Sequence, residues 1–452
     1  MIVTKPKYER INIAILVFVF GLIYGAHWKS YPTFVDERFT IFIANGIPLS
    51  SENIEERLDP ESVAALTTKE IAENNTISNV WRNNIRDGGN GQLYYFIAHF
   101  WSIFLGRHIG VFISLKILSL LCSLCAVLIL YRWIRYKSNS KTALLVSILF
   151  VATSAPFQIY IRNYAMSNLF VLLFFVIIDK FLNQQKDIRT IHKLSLYAVT
   201  ASLPFLHFFN LILIALAGIF CFKQWIAKKL NTNCIAEIVK AIIFSVLLFS
   251  IYYFFLNKDG RNFQFAVTTH LRQIAQYYGT ESNNWLAPST PKYLVIENSE
   301  MALRLYGIDL RDSMRTIRMI FILPLLSIPI YLVYQFYRRN KSEVMSHNVL
   351  MISFSLFIVL GYTIFLNVLC LSSGHAVALN NQWYASPLMI LTSASIGLIA
   401  LKLNNRKTTI LFHCLVIIAA INSFTFGFNP IIRDGSIPAH VECMKKIEQQ
   451  FR

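Results

Sequence analysis

Stretches of about 18 to 22 apolar residues recur along this chain, and each is long enough to cross a hydrocarbon core of roughly 30 Å. The first runs from Ile11 to Trp28, behind Lys5, Lys7 and Arg10. No other feature narrows the fold as much. In lipid every backbone N–H and C=O needs a partner within the protein, and a helix supplies one inside a single segment. Eleven spans are expected, over 11–28, 109–134, 142–161, 165–182, 194–206, 208–224, 240–257, 317–337, 349–370, 384–401 and 408–426. The fold class is therefore an all-α polytopic membrane protein. The first run is too long for a signal-peptide core and ends Gly25-Ala26-His27-Trp28, so it reads as an uncleaved first helix.

Charge fixes the expected topology. The chain carries a formal net charge of +18, but only 15% of its 452 residues are charged. Its basic residues form no single patch or arm, so no nucleic-acid partner is expected. They fall in short clusters: Lys5/Lys7/Arg10, Arg132/Arg135/Lys137/Lys141, Lys180/Lys186/Arg189/Lys193, Lys223/Lys228/Lys229/Lys240, Arg338/Arg339/Lys341 and Lys402/Arg406/Lys407. By the positive-inside rule these clusters, and the N-terminus with them, are cytoplasmic. Residues 29–91 hold an excess of acids and fall on the other side, as do 258–316 and the tail 427–452. One membrane domain over 1–426 is expected, with 29–108 and 258–316 as its large extracytoplasmic loops. No repeat of fixed period is apparent.

Two places strain a simple count of crossings. Leu93–Leu105 is apolar but short, and parity places both its ends on one side, so it reads as a shallow interfacial helix. Residues 194–224 must hold two crossings in little length, with Pro204 and His207 at the turn. Short, interrupted helices of that kind are tolerated where they line an enclosed or watery cavity. Cys122 and Cys125 form a C-x-x-C inside an apolar run, where small packing residues are the simpler reading, and no disulfide framework is expected.

Two adjacent carboxylates, Asp36 and Glu37, follow the first span. Solvated loop acids would explain them. Acids beside lipid are costly without work or partners, however, and an Asp at a membrane–water boundary is suited to act as a general base toward a hydroxyl. Burial raises its pKa and makes it a better base. Arg162 is the lone basic residue of a long apolar stretch, with Tyr160 and Tyr164 beside it. It is either a snorkelling arginine in an aromatic belt or a guanidinium held for a phosphate. His207 at the hairpin tip and His99 in the shallow helix are either packing residues or cavity-facing ones. The loop from Ser372 to Tyr384, with His375 and Gln382, is polar and leads into a helix through Pro387. There is no G-x-x-x-x-G-K-[ST], H-E-x-x-H or G-x-G-x-x-G, and Gly88-Gly89-Asn90-Gly91 is a turn rather than a dinucleotide loop.

Together these pieces resemble a GT-C glycosyltransferase of the bacterial branch related to protein O-mannosyltransferases and the lipid A aminoarabinose transferase. The resemblance is carried by Asp36-Glu37 after the first helix, by Leu93-Tyr94-Tyr95 with His99, by Tyr160, Arg162 and Tyr164, and by Leu206-His207-Phe208 between two short helices. Order and spacing agree over roughly residues 1–225; later residues match in hydropathy, with Trp383-Tyr384 and Pro387. The family has Pro-Pro before Leu-Tyr-Tyr where this chain has Asn90-Gly91-Gln92, and Gln382 or Trp383 stands where the family has a late Arg. Arg86 and His375 are therefore further candidates, with Arg162, for holding phosphate.

The resemblance implies a polyprenyl-phosphate-sugar donor and transfer, with inversion, to an extracytoplasmic hydroxyl on a glycan, lipid or protein. It implies the inner membrane of a bacterium as the location. Asp36 is the expected base; Arg162, Tyr164, His207, His99, Tyr95, Arg86, His375, Gln382 and Tyr384 are expected to bind substrate. Glu37 would position the acceptor or bind a divalent cation such as Mg or Mn, but two acids without further ligands are a poor cage, so no metal ligand is assigned. A flippase, a lipid-glycan polymerase or ligase, and a non-catalytic scaffold remain open. A transporter would want charge inside several helices, and here only Lys116 stands out. A polymerase or ligase would use a late Arg- and His-rich loop, and 258–316 holds Arg261, Arg272, Arg304, Arg311, Arg315 and His270.

Overall fold

The computed structural model describes residues 6–28, 35–47, 67–183, 189–227, 232–262, 328–339, 347–373, 382–428, 445–447 and 449. All regular secondary structure among them is helical. Helix α1 spans Pro6–Trp28, α2 Val35–Ala44, α3 Thr68–Asn74, α4 Ile77–Arg86 and α5 Gln92–Trp101. A π-helical turn, Ser102–Gly106, continues α5. The bundle follows with α6 Val111–Lys137, α7 Ser140–Gln158, α8 Tyr164–Asn183, α9 Thr190–Leu206, α10 Asn210–Ile226 and α11 Thr232–Ile251. A second π-helical turn, Tyr252–Leu256, ends α11. Helices α12 His347–Ser373, α13 Gln382–Leu403 and α14 Arg406–Phe428 complete it. Of the expected span 317–337, residues 328–337 are described and helical, and the rest lies outside the described residues.

Among the described residues, five helical stretches are long and apolar enough to cross a membrane: Glu9–Trp28, Val111–Lys137, Tyr164–Leu182, Thr232–Leu256 and Asn348–Val368. Their outer faces carry Phe18, Ile243, Leu247, Ile251 and Phe255, all exposed. In water such a surface would be an aggregation site, whereas against acyl chains it costs nothing. Helix α7 is the hub, packed against α1, α6, α13 and α14. Its residues Val146, Leu149, Phe150 and Ala155 are buried in the main core. A second, smaller core sits under α2, α4 and α5 and includes Phe42, Ile43, Tyr94, Tyr95, Leu115 and Ile161. The tail reaches this second core, where Ile447 is buried, and Thr68 Oγ1 donates to Gln449 Oε1 at 3.3 Å.

Three boundaries differ from the sequence expectation. The span placed over 142–161 stops at Gln158. The Ile161 N–H is taken by a Glu37 carboxylate oxygen at 2.9 Å, and the Tyr160 carbonyl accepts from Ser119 Oγ at 3.0 Å, so 159–163 turns instead. Helix α11 starts at Thr232 rather than 240, so Lys240, expected at the very start of the span, lies well inside it. There it pairs with Glu237 at 3.3 Å, while Lys193 approaches the same carboxylate at 3.8 Å. The acid pair, expected in a polar loop, sits in the first turn of α2.

The short hairpin is held by substituted hydrogen bonds. Each arm is 17 residues, or about 26 Å, which falls short of a full hydrocarbon core. Pro204 has no N–H for the Thr200 carbonyl, and Ser245 Oγ of α11 donates to that carbonyl at 2.8 Å. Asn210 Nδ2 closes the turn by donating to Leu203 O and Ser167 Oγ, both at 2.9 Å.

The turn 88–91 is built on glycine. Gly89 has φ +74°, and a Cβ there would come within 2.3 Å of the Asn257 amide. Tyr252 Oη donates to Gly89 O at 2.8 Å, and Asn257 Nδ2 donates to Gly88 O at 3.2 Å. Gly89→Ala should therefore lower the thermal unfolding midpoint in detergent, since left-handed backbone alone costs an alanine about 1–2 kcal/mol. Gly21→Ala, where a Cβ meets nothing within 4 Å, is the control expected to show no loss.

Candidate functional site

Three turns meet above the second core: 88–91 before α5, 159–163 before α8, and 207–209 between α9 and α10. Asparagines stitch them together. Asn163 Nδ2 donates to Leu206 O, the Phe208 N–H donates to Asn90 Oδ1 at 3.1 Å, and Asn84 Nδ2 donates to Asn90 O at 2.9 Å. Gly91 has φ +78°, and a Cβ there would come 3.0 Å from Asn163 Nδ2. Proline, fixed near φ −65°, cannot occupy that position.

Arg162 lies at this junction, half-buried. Its Nη1 donates to Tyr95 Oη at 3.2 Å. Tyr95 is buried on α5, shares a hydrogen bond with Thr40 of α2, and feels Asp87 as a nearby negative charge. Burial pushes its phenol up to about 12, only partly opposed by the Arg162 charge, so it stays protonated. Tyr94, also buried, is likewise raised by burial.

His207 is 7% exposed and stacks obliquely on Tyr164, with ring centroids 5.8 Å apart. Burial first, and the Arg162 charge second, lower its pKa to about 3. The hydrogen bonding agrees with a neutral ring, because Nδ1 accepts the Phe209 N–H at 3.2 Å. A histidine whose folded pKa lies below its unfolded value of roughly 6.5 contributes stability that is present above that value. That contribution is lost as pH falls from about 6.5 toward 3. Thermal midpoints measured across this range should fall more steeply for the wild-type protein than for His207→Asn.

Glu37 is 0% exposed. Its Oε1 accepts the Ile161 N–H at 2.9 Å and lies 4.0 Å from Lys116 Nζ, itself buried on α6. Lys116 also sits over the Phe112 and Trp28 rings, 4.9 and 5.6 Å from their centroids. The site thus joins Glu37, Tyr95, Arg162, Tyr164 and His207. His99, one turn along α5 from Tyr95, is committed elsewhere: its Nδ1 lies 2.9 Å from Ala44 O, clasping the end of α2 to α5. Burial lowers its pKa, opposed by that hydrogen bond.

The remaining candidates divide. The Asp36 backbone opens α2, next to Glu37, but its side chain lies outside the described residues. The same holds for Gln382 and Tyr384 at the start of α13, and His375 is outside altogether. Arg86 ends α4 with its side chain exposed, next to Asp87. Sequence reasoning noted Lys116 only as an isolated charge; a lone lysine in an apolar run was the available signal for a buried acid partner. Asn163, Asn90 and Thr40 gave no such signal. Glu37 does not fit a divalent cation, since its carboxylate is already engaged by an amide and an ammonium. Among the described residues no three His, Cys, Asp or Glu side chains gather into a metal-binding group.

No protein-family model matches the chain, and no curated protein does. Among solved structures the chain is similar to ArnT from Cupriavidus metallidurans bound to undecaprenyl phosphate. The TM-score is 0.46 and the identity 10%, over 99% of this chain and 76% of that one. It is also similar to an oligosaccharyltransferase from Archaeoglobus fulgidus in complex with zinc and sulfate, with TM-score 0.42 and 12% identity. That match covers 97% of this chain, which spans about half (53%) of the archaeal protein.

Proposed function

We propose that this chain is an integral membrane glycosyltransferase of the GT-C type. It moves a sugar from a polyprenyl-phosphate donor to a hydroxyl on the extracytoplasmic side of a bacterial inner membrane. The observation that carries the reading is the hydrogen bond from the Ile161 N–H to Glu37 at 2.9 Å. Asp36 precedes Glu37 and Arg162 follows Ile161, so this one bond sets the start of the acid helix beside the turn that bears the guanidinium.

Chemistry follows from that juxtaposition. The Asp36 carboxylate takes the proton of the acceptor hydroxyl as its oxygen bonds to the anomeric carbon. The bond from that carbon to the phosphate oxygen breaks on the opposite face, which inverts the centre. The electron pair leaves on the lipid phosphate, where Arg162 supplies positive charge in a poorly solvated setting, and such stabilisation is strongest there. Tyr95, kept protonated, holds the guanidinium in place, and neutral His207, packed on Tyr164, shapes the sugar pocket with it. A phosphate leaving group needs no nucleotide loop, in keeping with the missing phosphate-loop motifs.

The test is a panel of polyprenyl-phosphate sugars incubated with purified protein in nanodiscs, with donor consumption and released polyprenyl phosphate scored. Consumption of one donor class, with transfer to an added hydroxyl acceptor, is expected. Movement of intact donor between leaflets without consumption would overturn the reading in favour of a flippase.

A further inference from the structure

Glu37 combines complete burial, an amide donor and an ammonium neighbour, and none of these suits a group that must meet a substrate. Its Oε1 accepts from Ile161 N and stands 4.0 Å from Lys116 Nζ. Lys116 is 1% exposed and is sandwiched against Phe112 of its own helix and Trp28 at the end of α1. Four pieces of chain therefore converge on one buried charge pair: the end of α1, the start of α2, the second turn of α6 and the 159–163 turn. We propose that Glu37 and Lys116 form a positioning clamp that sets the spacing between Asp36 and Arg162, and that Glu37 itself touches neither sugar nor acceptor.

Physical reasoning makes the clamp exacting. The peptide link from Glu37 to Asp36 and the one from Ile161 to Arg162 are each a single residue long. A shift at the Glu37–Ile161 bond is therefore passed directly to both functional groups. Misplacement of about 1 Å costs a catalytic centre roughly a hundredfold in rate. The carboxylate, not merely an oxygen, is required because Lys116 is buried with it, and either charge left alone in that setting is strongly unfavourable. The role of Glu37 thus differs from the acceptor-positioning or cation-binding roles that the acid pair suggested.

The clamp makes a double-substitution prediction that a substrate-contacting acid cannot meet. Glu37→Gln strands the Lys116 charge, and Lys116→Met strands the Glu37 charge, so each alone should lose thermal stability and roughly tenfold or more of the transfer rate. Glu37→Gln with Lys116→Met removes both charges while a side-chain carbonyl still accepts from Ile161. It should regain stability and return transfer to within about tenfold of wild type, the coupling expected of a contacting pair. Glu37→Ala with Lys116→Met is also neutral but has no acceptor. It should stay slow, in kcat rather than donor KM, and the Ile161 amide should exchange hydrogen faster.

Recovery of stability without recovery of transfer in the Gln–Met pair would overturn the proposal, by returning Glu37 to the substrate. An Ile161 amide equally protected in the Ala–Met pair would overturn it as well. The catalytic arm rests on the transferase reading. If wild-type protein consumes no donor, that reading fails, while amide exchange and the stability of the four proteins still decide the clamp.

Discussion

Asp36→Asn is expected to lower sugar transfer by about 10²–10⁴-fold, the range a positioned general base contributes. Asparagine keeps the size and the α2 backbone but cannot accept the acceptor proton. Expression, membrane insertion and the thermal midpoint should be unchanged, because Glu37, the buried anchor at the start of α2, is left in place. The measurement is donor consumption at saturating donor and acceptor, across pH. A variant that transfers at the wild-type rate would remove Asp36 from the base role.

Arg162→Ala carries the second large effect. Removing a positive donor aimed at developing charge costs roughly 10²–10³-fold in comparable sites. The loss should appear in the use of the lipid donor and leave the acceptor concentration dependence little altered. Arg162→Lys should restore only part of it, because an ammonium has neither the planar fork nor the reach to bridge Tyr95 and a phosphate at once. Equal damage to donor and acceptor use, with a lowered thermal midpoint, would mark the arginine as structural. His207→Asn is a useful companion: it removes a neutral ring packed on Tyr164, so its effect on donor use should be smaller than that of Arg162→Ala.

Several features of the site could be read before any coordinates. Arg162 stood out because a lone cation in an apolar stretch needs a reason, and His207 because a proline and a histidine interrupt two crossings too short for the bilayer. Both lie at the same junction of turns. Other features resisted reading because their meaning is tertiary. Glu37 and Asp36 are adjacent and chemically alike, and nothing in the sequence marks Glu37 as a buried anchor held by Ile161 and Lys116. Lys116 lies 79 residues beyond Glu37 on another helix, so its pairing has no local signature. His99 resembled a binding residue on the face of an aromatic helix, and its ring is occupied by the Ala44 carbonyl. The Asn90-Gly91 pair looked like the loss of a family feature and is a left-handed turn packed on Asn163.

What the chain determined by itself is its solvent. Apolar runs of bilayer length can satisfy their backbone only as helices, so the all-α class and most helix positions follow from local hydrogen bonding and hydropathy. What only the tertiary structure decided is which polar groups give up local partners for distant ones. Helix α7 ends at Gln158, and three residues on a carboxylate from α2 takes the Ile161 amide, while the Thr200 carbonyl freed by Pro204 is met from α11. An unsatisfied polar group costs so much in a low-dielectric interior that these few long-range bonds override helix propensity and fix where the Glu37 carboxylate meets the 159–163 turn.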